Sequence, residues 1–595
     1  MKHFLLVILF LIISLLAISC KKKGQSTDLS HSSKKEVVVS KFARNYPAFN
    51  PDSLKNLLYK EIQNDSVLQP FYTNKEQTTI WLHDTLDTKS LYSFLEIVNN
   101  VEIHGLSSEI FSISEIGTLI DSIDSGLFTG DMETLYSKVS LVEQEATRSA
   151  IKYITGMRYG FITPQSVYGN KNYDIVVAKS DSAYQVTLHK ELKEDPIAAI
   201  LNSHPTDSRY IKLQDEYKAL SELEESSPFP KINSGNATFK AGDKNRHIAE
   251  IAERLIITGE YKPDSISEDS TYSKLDKNLL AAINLFRKKN SYPEENEVGK
   301  LTIDALNRPV SYYKDKIRAN MERYRWRRTK VTHSKHIEVN VAAASLVATQ
   351  TDSLPIYMRV CVGTVSNKTP LLQSDIGYLN LNPYWNVPKS IAQGEVAVLQ
   401  KRDSSYIRRK NMKLYKGGKE VDPSSIDWKK VNPGTFYYIV RQEPGHGNSL
   451  GLIKFMFNNN HSVYLHDTPS KLAFTRKNRA VSHGCVRVQK PFDLAFFCLS
   501  PVTDVYKDQL LYTAQMNPVS MAGKKLLKDD KLKKLPDIIN LKAENKISLF
   551  IDYYTTYMYP DDDIVYYADD IYGYDDLILK GLSPYQGEDL GKISK

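Results

Sequence analysis

The chain has 595 residues, 41% of them hydrophobic and 25% charged, an ordinary globular composition with enough length for three or four domains. The formal net charge of +8 is small for that length. The basic residues are scattered rather than gathered into a tract or a nucleic-acid motif, which excludes nucleic acid as a partner.

The chain opens "MKHFLLVILFLIISLLAISC", with Lys2 and His3 ahead of an apolar run from Phe4 to Ile18. That is the pattern of a secretory signal and is short for a spanning helix; an uncleaved anchor helix is the alternative. Ala17-Ile18-Ser19-Cys20 resembles the lipobox of bacterial lipoproteins, with alanine where leucine is commoner. The resemblance implies that residues 1–19 are a removed signal peptide and that Cys20 carries a lipid. The mature chain is then expected in the cell envelope, on the periplasmic side, tethered to a membrane. Residues 20–45 read as a flexible polar tether. Beyond Cys20 only Cys361, Cys485 and Cys498 remain, which rules out a dense disulfide framework and leaves at least one unpaired thiol. An unpaired thiol in an oxidising compartment calls for a chemical reason.

Residues 46–228 are expected to form a helical scaffold domain. In "SLYSFLEIVNNVEIHGL", Leu91, Phe94, Leu95 and Val98 recur at helical spacing and Gly105 is a stop. A stretch rich in Pro, Gly, Ser and Asn marks a linker over 229–245. Residues 246–308 form a small unit of three helices, with apolar repeats at Ile248, Ile251, Leu255 and Ile256, then Leu279, Ile283 and Phe286, then Leu301, Ala305 and Leu306. Its Gly299-x-x-Thr302-x-x-Ala305-Leu306 ending resembles the peptidoglycan-binding domain found beside cell-wall hydrolases and transpeptidases. A connecting helix falls at 309–335.

From there the pattern turns to short β-branched and aromatic strands, in a domain spanning 336–510. Residues 390–432 interrupt them as a polar insertion suited to cap a site. Residues 511–595 are a C-terminal extension ending in a hairpin, with Asp561, Asp562 and Asp563 at its turn.

Two stretches of this domain carry the chemistry, "VYLHDTPSK" and "SHGCVRV". Strand alternation turns Val463, Leu465, Val486 and Val488 to the core, and Tyr464, His466, Cys485 and Arg487 to the opposite face. If the two strands are neighbours, one surface holds all four polar residues. A thiol attacks a carbonyl as thiolate, so it needs a base or a nearby cation. His466 can take the proton and return it to a leaving amine, while Arg487 favours thiolate and suits a substrate carboxylate. Gly484 frees the backbone to aim its amide at an oxyanion, and His483 orients the loop or shares the proton. A zinc site of His466, Asp467, His483 and Cys485 is the rival, and it lacks the usual ligand spacings.

"HDTPSKLAFTRKNRAVSHGCVRV" resembles the signature of the L,D-transpeptidase catalytic domain of YkuD type. "SDIGYLNLNPYWNVPKSIA", "NPGTFYYIVRQEPG" and the segment order resemble the large subfamily with an N-terminal scaffold domain. The resemblance implies a multidomain α+β protein: a helical scaffold domain, a small three-helix peptidoglycan-binding-like domain, and a mostly β, barrel- or sandwich-like catalytic domain with a capping insertion. It makes Cys485 the nucleophile and His466 the general base. His483 belongs to the motif, and backbone amides near Gly484 and Cys485 form the oxyanion hole. Arg487, Tyr464, Asn382, Tyr384 and Trp385 line the substrate site.

The implied activity forms 3–3 peptidoglycan cross-links through a cysteine thioester, with neither metal nor cofactor. The implied partners are a donor tetrapeptide stem and an acceptor amine, with a cell-wall synthase as a candidate partner. Cysteine chemistry of this family also implies acylation by carbapenems. The alternatives are an L,D-carboxypeptidase on the same site and a non-catalytic peptidoglycan-binding scaffold.

Overall fold

The computed structural model describes residues 40–72, 79–82, 86–226, 229–263, 272–326, 333–542 and 545–584. The expected signal peptide, Cys20 and most of the tether lie outside them. Among the described residues no helix is long and apolar enough to cross a membrane.

The N-terminal region is helical. Helix α1, Lys89–Asn99, buries Leu91, Phe94, Leu95 and Val98 on the face its spacing predicts. Helix α2, Met132–Tyr159, starts at Asp131, whose carboxylate accepts the Thr134 N–H. Helix α3, Ser208–Ser226, completes the part that meets the rest of the chain.

Helices α4 (Arg246–Ile257), α5 (Lys277–Lys289) and α6 (Lys300–Leu306) pack around their own core of Ile248, Ile251, Leu255, Leu279, Ile283, Phe286 and Leu306. The stretch read as a linker belongs partly to this unit. Ile232 and Phe239 are buried in its core, and Phe239–Lys240 pairs antiparallel with Glu297–Val298. Two apolar residues among many polar ones carry no periodicity, so composition alone read them as loop. Ile256, grouped with the apolar repeat, is instead exposed.

Helix α7, Val310–Arg325, is the hub of the molecule. It packs on α2 and α3, and against α8, Tyr574–Gly581, near the C-terminus. Lys316, Asn320, Glu322, Arg323 and Arg325 are all buried along it.

The β-rich domain begins with β1 (Lys335–Asn340), β2 (Ser345–Gln350), β3 (Ile356–Gly363) and β4 (Leu371–Leu381). The insertion adds β5 (Trp385–Asn386), β6 (Met412–Lys416), β7 (Lys419–Val421) and β8 (Ile439–Gln442). Then come β9 (Ile453–Phe457), β10 (Leu465–His466), β11 (Ala480–Ser482), β12 (Val486–Val488) and β13 (Ile547–Asp552). The hydrogen-bonded order β4-β9-β10-β12-β3-β2-β1-β13 closes on itself, because β13 also pairs with β4. The result is a closed barrel, filled by residues such as Val339, Val360, Leu379, Phe455, Leu465, Val486 and Leu549.

Two features differ from the sequence reading. The barrel is not complete within 336–510, since β13 comes from the extension and lies between β1 and β4, parallel to the first and antiparallel to the second. The run "ISLFID" reads as half of a terminal hairpin because it abuts the aromatic tail. The actual hairpin is smaller, β14 (Thr556–Tyr557) with β15 (Tyr566–Tyr567). A chain ended after residue 510 is therefore expected to be insoluble or protease-sensitive, with two exposed barrel edges; limited proteolysis beside the intact protein checks this.

The insertion is also wider than 390–432. It is a subdomain over 385–442, with sheet order β7-β6-β8-β5 and its own core of Val387, Ile391, Val396, Ile407, Leu414, Phe436 and Val440. Its two-residue edge strand β5 is too short to give a sequence signal.

Candidate active site

Three neighbouring barrel strands place the chemistry-bearing side chains in one row. Parallel pairing sets Leu465 against Val486 and His466 against Arg487, while antiparallel pairing sets Lys454 of β9 against His466. The valines and Leu465 enter the barrel core, as alternation requires, and the polar residues take the other face. Cys485, one residue before β12, lies beside Tyr464 on that face. The strands expected to be neighbours are neighbours.

The turn that presents the thiol is tightly held. Gly484 has φ of +115°, a left-handed value that glycine adopts without strain. Its N–H donates to the Ser482 hydroxyl at 3.1 Å, and that hydroxyl donates to the Cys485 carbonyl at 2.6 Å. The Gly484 amide expected at an oxyanion is thus already engaged. Among the described residues, the amides of the turn without an acceptor are those of His483 and Cys485.

Burial pushes the Cys485 thiol up from its ordinary value, against the opposing pull of hydrogen bonds from the Tyr464 backbone and hydroxyl and of the Arg487 and Lys454 charges. Burial, with Arg487 close by, brings His466 down to about 4, although the Asp467 and Leu450 backbones and the Asp467 carboxylate favour its charged form. The resting pair is therefore a neutral thiol and a neutral imidazole rather than the thiolate expected from the motif; desolvation outweighs the cations. The His466 Nδ1–H donates to the Asp467 carbonyl, which leaves the lone pair on Nε2 for proton transfer. Asp467 is itself fixed by the Leu452 N–H and by Lys471.

The other expected residues fall in three places. Arg487 sits in the row, and its Nε is buried without a hydrogen-bond partner. Trp385 of the cap hydrogen-bonds the Tyr464 hydroxyl, and His483 is paired with Glu395 of the cap at 2.6 Å, so both stand where cap and barrel meet. Asn382 and Tyr384 are turned elsewhere. The Asn382 amide donates to the Thr513 carbonyl and Asp537 and accepts from Gln515, while the Tyr384 ring is half-exposed under Arg441. Both belong to a motif at the cap hinge, and proximity in sequence did not translate into contact with the thiol.

The set His466, Asp467, His483 and Cys485 does not converge as metal ligands. His483 turns to Glu395 and Asp467 to Lys471, and among the described residues no three His, Cys, Asp or Glu side chains gather with ligating geometry.

Lys454 escaped the sequence reading. It stands over the Tyr464 ring at 5.4 Å and acts on the thiol, and burial lowers its pKa. The alternation that placed His466 would have found it, as a lone cation between Ile453 and Phe455.

A closed barrel therefore carries a thiol, an imidazole and a guanidinium aligned on one face beside a cap. Residues 334–506 match the L,D-transpeptidase catalytic domain (YkuD) and residues 66–216 match the Scaffold domain. A Haemophilus influenzae protein described as a candidate L,D-transpeptidase is 38% identical over 178 residues, 29% of this chain and 36% of its own length. The match thus spans about a third of that curated relative. The crystal structure of an L,D-transpeptidase (Yku) from Stackebrandtia nassauensis aligns with 53% of this chain and 97% of its own, at 15% identity and a TM-score of 0.18, and no argument rests on it. Residues 334–506 are thus an L,D-transpeptidase catalytic domain of YkuD type, and residues 66–216 a Scaffold domain.

Proposed function

We propose that this protein is a lipid-anchored L,D-transpeptidase that forms 3–3 cross-links between peptidoglycan stems. The observation that carries the reading is the cross-strand row of Cys485, His466 and Arg487, in which the imidazole has a free nitrogen and the guanidinium a buried, unpartnered N–H.

In the donor step His466 Nε2 takes the Cys485 proton as the sulfur attacks the carbonyl of the third stem residue. The oxyanion lies at the Cys485 N–H. Collapse expels the terminal D-alanine, whose amine receives the proton from His466, and leaves a thioester. In the second step a side-chain amine of a neighbouring stem attacks the thioester and returns the thiol. Arg487 holds the donor carboxylate and Tyr464 the thiol side of the pocket. Protons pass only among the thiol, His466 and the two substrate amines, the acceptor amine's proton restoring the thiol through His466, with no metal or cofactor in the scheme. The cap, pinned through His483–Glu395 and Trp385–Tyr464, keeps water from the thioester.

The three-helix unit is read as a peptidoglycan-binding module, and Cys20 as the lipid anchor on the periplasmic side of the envelope. Together they hold the barrel near its polymer and raise the effective substrate concentration. A cell-wall synthase working on the same stems is the partner such a placement suits.

Incubation of the purified protein with disaccharide-tetrapeptide, followed by mass spectrometry, tests the reading. A protein adduct at the mass of the thioester and a cross-linked dimer are expected. Monomer lacking D-alanine without dimer would make it an L,D-carboxypeptidase. No turnover would leave a binding scaffold, and stoichiometric zinc lost on His466→Ala would restore the metal reading.

A further inference from the structure

The free Cys485 amide shares a peptide unit with the Gly484 carbonyl, and in a trans peptide the two point in opposite directions. Whatever grips the carbonyl therefore sets the direction of the N–H. That carbonyl accepts the hydroxyl proton of Thr369 at 2.8 Å. Thr369 is almost wholly buried, and the same hydroxyl oxygen accepts the Gly363 N–H at 2.8 Å. The Thr369 amide in turn donates to the Tyr572 hydroxyl at 3.1 Å, and Tyr572 donates to the Gly363 carbonyl at 2.7 Å. Gly363 itself admits no side chain, since a Cβ there would lie 2.0 Å from the Asn367 carbonyl oxygen. Tyr572 is fixed from behind by the Tyr553 hydroxyl, which accepts the Tyr572 N–H at 2.9 Å and donates to Asp570 at 2.6 Å.

We infer that Thr369 is the positioning residue of the oxyanion donor: its hydroxyl grips the Gly484 end of the Gly484–Cys485 peptide and so aims the Cys485 N–H at the site where acyl transfer puts negative charge. The chain Tyr572–Thr369–Gly484 extends that support from the C-terminal extension to the catalytic turn. A hydrogen bond to the carbonyl also polarises the same peptide and makes its N–H a stronger donor. Thr369 touches neither thiol nor substrate. Its effect falls on the step that develops an oxyanion and not on the thiol's own nucleophilicity. The inference rests on the acyl-transfer reading of Cys485.

Two reactions at the same sulfur separate these effects. Alkylation by iodoacetamide is a displacement at carbon that forms no oxyanion, whereas acylation by disaccharide-tetrapeptide does. Thr369→Val keeps the shape and removes the hydroxyl; Thr369→Ser restores it. Thr369→Val is expected to slow acylation on the order of 10- to 100-fold, somewhat less than the loss of an oxyanion donor outright. Its Cys485 alkylation rate is expected to stay within about twofold of wild type, with Thr369→Ser close to wild type in both. Tyr572→Phe, which keeps Thr369 but loosens its hold, is expected to shift acylation alone by a smaller factor.

Acylation by Thr369→Val at the wild-type rate overturns the inference. So does an equal fall in both reactions that serine does not rescue, since that marks a merely structural role. Wild type that alkylates at Cys485 but never acylates overturns the acyl-transfer reading itself, and this inference with it.

Discussion

Cys485→Ala is expected to abolish both acyl-enzyme and cross-linked dimer, and His466→Gln to slow acylation by about 10²- to 10⁴-fold while leaving the thiol open to alkylation. Glutamine can still donate to the Asp467 carbonyl, so the fold around the site is retained and the loss reports on proton transfer. The pH profile sharpens the test. A base must be neutral to accept a proton, and His466 is brought down to about 4 by burial and by Arg487. The acylation rate of wild type is therefore expected to hold as pH falls through 6.5 and to drop only near 4. A histidine with an ordinary pKa would lose its rate two units earlier. Stopped-flow acylation across pH 3.5–8, with ionic strength fixed, distinguishes them.

The same depression couples His466 to stability. Between about 4 and the ordinary value of 6.5, the unfolded chain binds a proton at this histidine that the native chain does not. Stability is lost as pH falls through that window and regained as it rises. His104, brought down by burial and by His204 to about 2, adds to the same trend in the scaffold.

Asp575→Ala is expected to cost about 3–5 kcal/mol, because it strands two buried cations. The Asp575 carboxylate accepts from Arg323 at 2.6 Å and from the Thr555 hydroxyl at 2.9 Å, and pairs with Lys316 at 3.3 Å. Burial would raise its pKa, but Arg323 and Lys316 hold it below the usual carboxylate value. Asn320 locks the arrangement by donating to the Thr555 hydroxyl and accepting the Thr555 N–H. Through this knot α7 binds the segment that leads from β13 to α8. Urea unfolding followed by hydrogen exchange in α7 and α8 measures the loss, and the chain's several cores make the local probe the more informative. The triple change Asp575→Leu, Arg323→Met, Lys316→Met is expected to recover most of it, since no stranded charge remains.

Most of the site was legible in sequence because strand alternation is local. Tyr464, His466, Cys485 and Arg487 could be assigned to one face from two short runs, and only their adjacency needed the fold. Helical spacing likewise predicted the buried face of α1. Other features depend on partners far away in the chain. Nothing in "ISLFID" says that it inserts between strands some 170 and 210 residues earlier. Nothing near Thr369 says that its hydroxyl reaches Gly484. Asn382 and Tyr384 misled for the converse reason, since a motif shared with a family fixes neither rotamer nor hydrogen-bond partner. The neutral resting state of the thiol is not legible in sequence, because burial, the largest influence on it, has no sequence signature.

The place of β13 in the barrel sets a clock on the barrel's assembly. Cys485 and His466 leave the ribosome some 60 to 90 residues before the strand that joins β1 to β4. Tyr572, which props Thr369, follows later still. Until then the nascent chain holds the whole signature sequence but no closed pocket to orient it. The turn that carries Cys485 is thus oriented only once β13 and Tyr572 have joined the fold, and a chain cut or stalled before them carries a thiol with nothing to aim it.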